Sequence, residues 1–207
     1  MYAIIKDGSI SKYVNHPKPL VIGDVQYPAR IFSAWTASEL AAIGIIAVTF
    51  DDSNKKDEKW YINTNQTYTY DASAGTVTAA YGTATAKAHA DTLWTSQDKT
   101  DGLIPEGKDV GDVAVEGLKT ILIRTIKQQA AGILQDTDWY IVRKADAGTA
   151  VPSSITNHRA AVRTKAAEME TAITNASDTP ALETLYTYTT TDGVQSRPLG
   201  ELPTLEI

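Results

Sequence analysis

Two hydrophobic periodicities divide this chain. Up to about residue 82, apolar and aromatic positions come in short runs or alternate with polar ones; from Val113 they recur every three to four residues. Positions 2–5 and 10–14 flank the turn dipeptide Asp7-Gly8, which predicts a β-hairpin. His16-Pro17-Lys18-Pro19 predicts an extended loop, because each proline pushes its predecessor out of helical geometry. A further strand is expected at Leu20–Ile22 or at Val25–Tyr27. Thr36-Ala37-Ser38-Glu39 has the pattern of a capping box, Leu40 and Ile43 face inward, and Gly44 closes a two-turn helix. Residues 45–50 then read as a buried strand. After the solvated turn 51–58, the segments 60–62, 67–70 and 76–81 have the Tyr/Thr/Val content and spacing of an antiparallel meander.

The second half follows a different rule. Alanine-rich 84–94 predicts a helix, and 95–111, with Lys99-Thr100-Asp101-Gly102 and Pro105-Glu106-Gly107, predicts a linker. Leu118, Leu122, Ile126 and Ile133 share one side of a helix at ~100° per residue. Whether 84–135 forms one helix or two stays open. Ile155, Val162, Ala166, Met169 and Ile173 fall in a narrow arc of a second long helix, with Pro152 near its start, where a missing N–H costs little. Asp178-Thr179-Pro180 opens a short third helix carrying Leu182 and Leu185. From Asp192 onward, with Pro198 and Pro203, the chain reads as an extended tail without a core face, expected to be tied down by a neighbouring subunit. The expected fold is α+β: a small N-terminal antiparallel β-rich domain (1–82), a connecting helix or linker (83–112), a C-terminal helical hairpin or three-helix bundle (113–190) and an extended tail (191–207).

Composition narrows the function classes. With 43% apolar and 21% charged residues, the 207-residue chain can build a core. A formal charge of −6 argues against nucleic acid as a partner, since counterion release needs clustered Lys and Arg. The charge is uneven: Lys119, Arg124, Lys127, Arg143, Lys144, Arg159, Arg163 and Lys165 face only Asp136, Asp138 and Asp146, whereas the stretch after Lys165 is acidic except for Arg197. Cysteine is absent, which excludes disulfides, thiolate metal sites and Cys nucleophiles. No run approaches the ~18–20 apolar residues of a membrane span, and residues 1–6 lack the pattern of a signal peptide. No membrane partner is expected, and synthesis is placed in a cytoplasm.

Little in the sequence suggests catalysis. His16, His89 and His158 have no metal-binding spacing, and no phosphate-binding glycine loop or nucleophile elbow occurs. No catalytic residue, metal or cofactor is therefore expected. Asp51-Asp52 beside Lys55-Lys56 lacks the ligand spacing of a calcium loop and reads as a turn. The most informative stretch is 133–140, where the helical pattern breaks at Thr137-Asp138-Trp139 and resumes at Val151-Pro152. Thr137 or Asp138 can cap the segment that follows, and Trp139 is expected to anchor the corner in the core. Arg159 and Arg163 lie one turn apart. They serve either an internal ion pair with Asp138 or Asp136, or capture of an acidic segment of a partner. On the second account, replacing both with alanine removes complex formation more than folding. His158, on the other flank of the stripe, reads as an interface histidine.

The layout Leu134, Thr137-Asp138-Trp139, Arg143, Val151-Pro152, Arg159 and Arg163 resembles the C-terminal module of bacteriophage tail-fibre assembly chaperones and related tail proteins. The similarity covers roughly residues 115–165. It implies a non-enzymatic protein, made in the bacterial host cytoplasm and destined for the virion tail, that binds a tail-fibre or baseplate protein. A homo-oligomer in the particle is compatible with this. Residence as an adaptor subunit is the first form of this expectation, and a dissociating chaperone is the second. A different class, a receptor- or glycan-binding module, would use Trp60, Tyr68, Tyr70, Tyr81 and the surrounding threonines as its contact face.

Overall fold

Asp7 and Gly8 both take positive φ, 52° and 74°. That backbone matches the twist of flanking strands and joins β1 (Tyr2–Lys6) to β2 (Ser9–Val14) in an antiparallel pair. The computed structural model describes residues 1–205, in two compact units, Met1–Thr85 and Ala86–Ile207. At 36% helix and 25% strand the protein is α+β.

In the first unit, both candidate segments are strands: β3 (Leu20–Ile22) pairs with β4 (Val25–Tyr27). After a single turn α1 (Ile31–Ala34), the capping box forms at α2 (Ala37–Ala42): the Glu39 amide donates to Thr36 Oγ1 at 3.2 Å, and the Thr36 amide donates to the Glu39 carboxylate at 2.7 Å. Gly44, at φ +79°, turns the chain into β5 (Ile45–Asp51), and a Cβ there would stand 2.7 Å from the Ile5 carbonyl oxygen. Beyond β6 (Tyr61–Ile62), the hairpin β7 (Gln66–Asp71) and β8 (Thr76–Tyr81) completes a five-stranded sheet of order β2-β1-β5-β8-β7. One ladder departs from an antiparallel meander: β8 runs parallel to β5. The chain between them is long enough for the crossover that a parallel pair requires. The sheet curls, so that Tyr13 of β2 and Tyr68 of β7 have ring centroids 4.8 Å apart. Alternation then splits the core. Ala3, Val48, Val77 and Ala79 pack on one side, and Ile4, Val14, Leu20, Phe32, Leu40 and Ile45 on the other.

The alanine-rich segment 84–94, where the chain passes from the first unit into the second, is not helical. It holds β9 (Thr85–Ala86) and β10 (Thr92–Leu93), and β10 pairs with β11 (Val113–Val115) across a loop containing α3 (Ser96–Thr100). Alanine supplies helix propensity but no apolar stripe, so tertiary bonding decides. Extended backbone here receives the start of α4 (Leu118–Gln135): the Leu118 and Lys119 amides donate to the carbonyls of Ala88 and His89, each at 3.0 Å. The Gly117 amide donates to Asp91 Oδ1 at 2.7 Å, and the Thr120 hydroxyl to Asp91 Oδ2 at 2.8 Å. These bonds satisfy N–H groups that a helix N-terminus otherwise leaves open. Residues 84–135 thus form neither one continuous helix nor two long ones: the short α3 and the strands β10 and β11 precede α4, which begins at Leu118.

The Gly117 amide, then the Thr120 hydroxyl, hold the Asp91 carboxyl below the usual carboxylate range. A depressed folded-state value means the contribution is present above the unfolded value, near 4, and is lost as pH falls through the folded value. Asp91→Asn is therefore expected to flatten the acid side of the stability profile below about pH 4. Urea midpoints measured across pH check this. An unchanged acid limb would remove Asp91 from the account.

Against α4 packs α6 (Ser153–Asn175), whose Ile155, Val162, Ala166, Met169 and Ile173 are all buried, as the arc requires. Leu122, Ile126 and Ala130 of α4 meet them, and Leu182 of α7 (Thr179–Tyr186) is fully buried. The expectation of a tail without a core face is corrected. A hairpin of β12 (Thr189–Thr191) and β13 (Val194–Ser196) leads to Leu199, which is 2% exposed and donates its amide to the Leu185 carbonyl at 3.0 Å. The unit's own helices hold the tail; Leu199 and Leu202, the two apolar positions between Pro198 and Pro203, are too little pattern to reveal which is buried. Glu206 and Ile207, the end of the tail segment, lie outside the described residues. Among the described residues no helix is long and apolar enough to cross a membrane.

Candidate functional site

The Thr137-Asp138-Trp139 corner is built by one guanidinium. α4 ends at Gln135 and α5 (Asp138–Ala147) starts three residues later, ending at Gly148, whose φ of 69° suits a residue without Cβ. Arg159, on the returning α6, is 8% exposed. Its Nη1 donates to the Leu134 carbonyl at 2.6 Å and to Thr137 Oγ1 at 2.7 Å, while Nη2 pairs with Asp138 Oδ1 at 2.8 Å. The Leu134 carbonyl, in the last turn of α4, also accepts from the Thr137 amide at 3.1 Å, and a cation there complements the α4 dipole. Asp138, in the first turn of α5, complements the opposite dipole end. One side chain thus ties the end of one helix to the start of the next.

Of the two accounts of Arg159, the internal ion pair with Asp138 is the one formed. Two other expectations are corrected. Thr137 does not cap α5: its hydroxyl donates to the Leu134 carbonyl at 3.0 Å and accepts from Arg159. Trp139 does not anchor the core. It is 53% exposed, because Arg159 already closes the corner and α5 turns its second position outward. The Trp139 ring stacks on Tyr140 with centroids 4.5 Å apart, and the Arg143 guanidinium lies 4.4 Å from the Trp139 centroid and 5.4 Å from that of Tyr140. Ile141 and Val142 beside it are also exposed. Arg163 is exposed, and its Nη1 donates only a long bond, 3.3 Å, to the Arg159 carbonyl.

A groove of about 630 Å³ opens at this corner. Its lining comes from three stretches of the chain: Ile133, Asp136, Thr137, Trp139 and Tyr140; Pro152, Ser154, Ile155 and His158; and Pro203, Thr204 and Leu205. Leu134, Arg143, Arg159 and Arg163 support the corner without lining the groove; Trp139, Thr137, Pro152 and His158 line it. Sequence inspection missed Tyr140, Ser154 and the 203–205 wall. A Leu-Pro-Thr-Leu run is its only trace in the sequence, and nothing local says where it docks.

Of the Tyr/Trp face of the first unit, Trp60 is buried and Tyr68, Tyr70 and Tyr81 are half-buried. Trp60 is 3% exposed, and Tyr68 and Tyr70 pack against Ala3, Val48, Val77 and Ala79, leaving Thr67, Thr69 and Asp71 outward on β7. Among the described residues no group of three His, Asp or Glu is placed to hold a metal ion. Compared with known protein families, curated proteins and solved structures, the chain matches none.

Proposed function

We propose that this chain is a partner-docking protein whose helical corner is the docking element. More narrowly, it is a non-enzymatic bacteriophage tail protein that binds a tail-fibre or baseplate component during virion assembly, with the β-rich first unit ahead of a helical hairpin module. The observation that carries this is the exposure of Trp139. Within the Thr-Asp-Trp motif the polar partners satisfy one another through Arg159, while the large aromatic faces solvent, braced by Arg143 and flanked by Ile141 and Val142. A rigid aromatic on an apolar helix face is what interfaces use as an anchor. The burial of Trp60 speaks against the receptor-binding alternative.

The tail does not argue for residence in the particle, since its own helices hold Leu199. Copy number decides that. Quantitative mass spectrometry of purified particles and of unassembled fibre complexes should recover the chain in one of them, in particles as an adaptor or only in fibre complexes as a chaperone. Trp139→Ala should leave stability within about 0.5 kcal/mol yet lower that recovery by about tenfold or more. Recovery of the wild-type chain in neither fraction would overturn the proposal.

A further inference from the structure

The corner groove carries one uncompensated charge, and it is negative. Among the described residues that line it, Asp136 is the only Asp, Glu, Lys or Arg. Its side chain is exposed and, among the described residues, enters no hydrogen bond or ion pair. The backbone adds to this charge. Asp136 directly follows α4, where the helix dipole ends negative, and the Ile133 carbonyl in that last turn accepts no hydrogen bond among the described residues.

The neighbouring cations do not answer Asp136. Arg159 is paired with Asp138 at 2.8 Å, and Arg143 lies against the Trp139 and Tyr140 rings without lining the groove. A second cavity of about 490 Å³ shares Ile133 and Asp136 with the first. It adds Arg197 and Glu201, which pair with each other at 2.7 Å. Asp136 thus stands where two cavities meet, with its charge unspent. The rest of the lining selects what can reach it. Ile133, Tyr140, Pro152 and Ile155 offer apolar surface, so a suitable group lays a hydrophobic stem along them and ends in a cation, which is the build of Lys and Arg. A bare metal ion does not fit, since among the described residues no group of three His, Asp or Glu is placed to hold one. The groove volume of about 630 Å³ admits such a side chain together with the peptide that bears it.

We propose that the groove binds a partner segment through one Lys or Arg side chain, its stem packed on Ile133, Tyr140 and Ile155 and its charged end paired with Asp136. This rests on the docking function above and names the chemistry of the partner. The test is fluorescence anisotropy with the intact chain and end-blocked peptides Ser-Ala-Leu-X-Leu-Ala-Ser carrying an uncharged dye, with X as Lys, N-acetyl-lysine or Glu. At low salt the Lys peptide should bind about fivefold tighter than the acetylated one, which keeps the stem without the charge, and the Glu peptide should bind weakest. Raising the salt to about 0.5 M should erase most of the difference. Asp136→Asn should remove the preference, and Asp136→Lys should turn it toward the Glu peptide. Both replace an exposed side chain that holds no other residue, so the fold is not at risk. Equal affinity for the Lys and N-acetyl-lysine peptides, or a Lys preference that survives in Asp136→Lys, would overturn the basic-residue assignment while leaving the docking function, read from the Trp139→Ala recovery, standing. Absence of saturation by the Lys peptide below ~1 mM would overturn it as well.

Discussion

Arg159→Ala is expected to cost the helical unit about 3 kcal/mol of unfolding free energy. The guanidinium is buried and serves three acceptors: the Leu134 carbonyl, Thr137 Oγ1 and Asp138. Its removal deprives the Thr137 hydroxyl, on a residue only 2% exposed, of the donor it accepts from, leaves the Leu134 carbonyl with only the Thr137 amide and hydroxyl and the Asp136 amide, and opens a cavity between α4 and α6. Asp138 is half-exposed and water replaces its partner, so Asp138→Ala should cost only about 1 kcal/mol. Arg159→Lys keeps the charge but not the planar fork, and should recover a minority of the loss. Arg163→Ala should stay within about 0.5 kcal/mol. Urea unfolding followed by far-UV circular dichroism ranks the four variants; Arg159→Ala no worse than Arg163→Ala would mean the clasp contributes nothing. The sequence-based expectation that alanine at both arginines removes complex formation more than folding therefore gives way, for Arg159, to an expected loss of stability, and for Arg163 the urea series tests it.

Gly117→Ala should be at least as damaging, about 3 kcal/mol or more. A Cβ at Gly117 would stand 2.3 Å from the carbonyl carbon and oxygen of Ala90 and 2.8 Å from the Asp91 amide nitrogen. These are backbone atoms, so no rotamer change relieves the overlap. The α4 start must instead separate from residues 88–91, losing the bonds to Ala88, His89 and Asp91 that satisfy its first N–H groups. Gly132, within the same helix, is the opposite case: an added Cβ meets nothing within 4 Å. Gly132→Ala should stabilise the helix by up to about 1 kcal/mol. Hydrogen exchange separates the two, with protection of 118–135 lost in the first variant and retained or raised in the second. Equal behaviour would refute the close-approach argument.

Much of the scaffold was legible because its determinants are local. The Asp7-Gly8 turn, the Thr36–Glu39 capping box and the α6 stripe from Ile155 to Ile173 each specify geometry within a few residues. The segment 84–94 was not legible. Its alanines favour a helix by propensity, but the α4 N-terminus needs acceptors, and an extended chain supplies them from residues far away in sequence. Propensities of tenths of a kcal/mol per residue yield to several hydrogen bonds.

The candidate site divides along the same line. By itself the sequence determined a helix–corner–helix with Thr137, Asp138, Trp139 and two spaced arginines, because period and breakers fix where helices stop and resume. Tertiary structure alone decided which side of that corner is core and which is surface. Arg159 reaches across 22 residues to Thr137 and closes the corner, which turns Trp139 outward, and residues 203–205 complete a groove around His158. The reason is physical: periodicity records the burial that a helix needs along its own length, whereas a contact between distant segments depends on distances that no local pattern encodes.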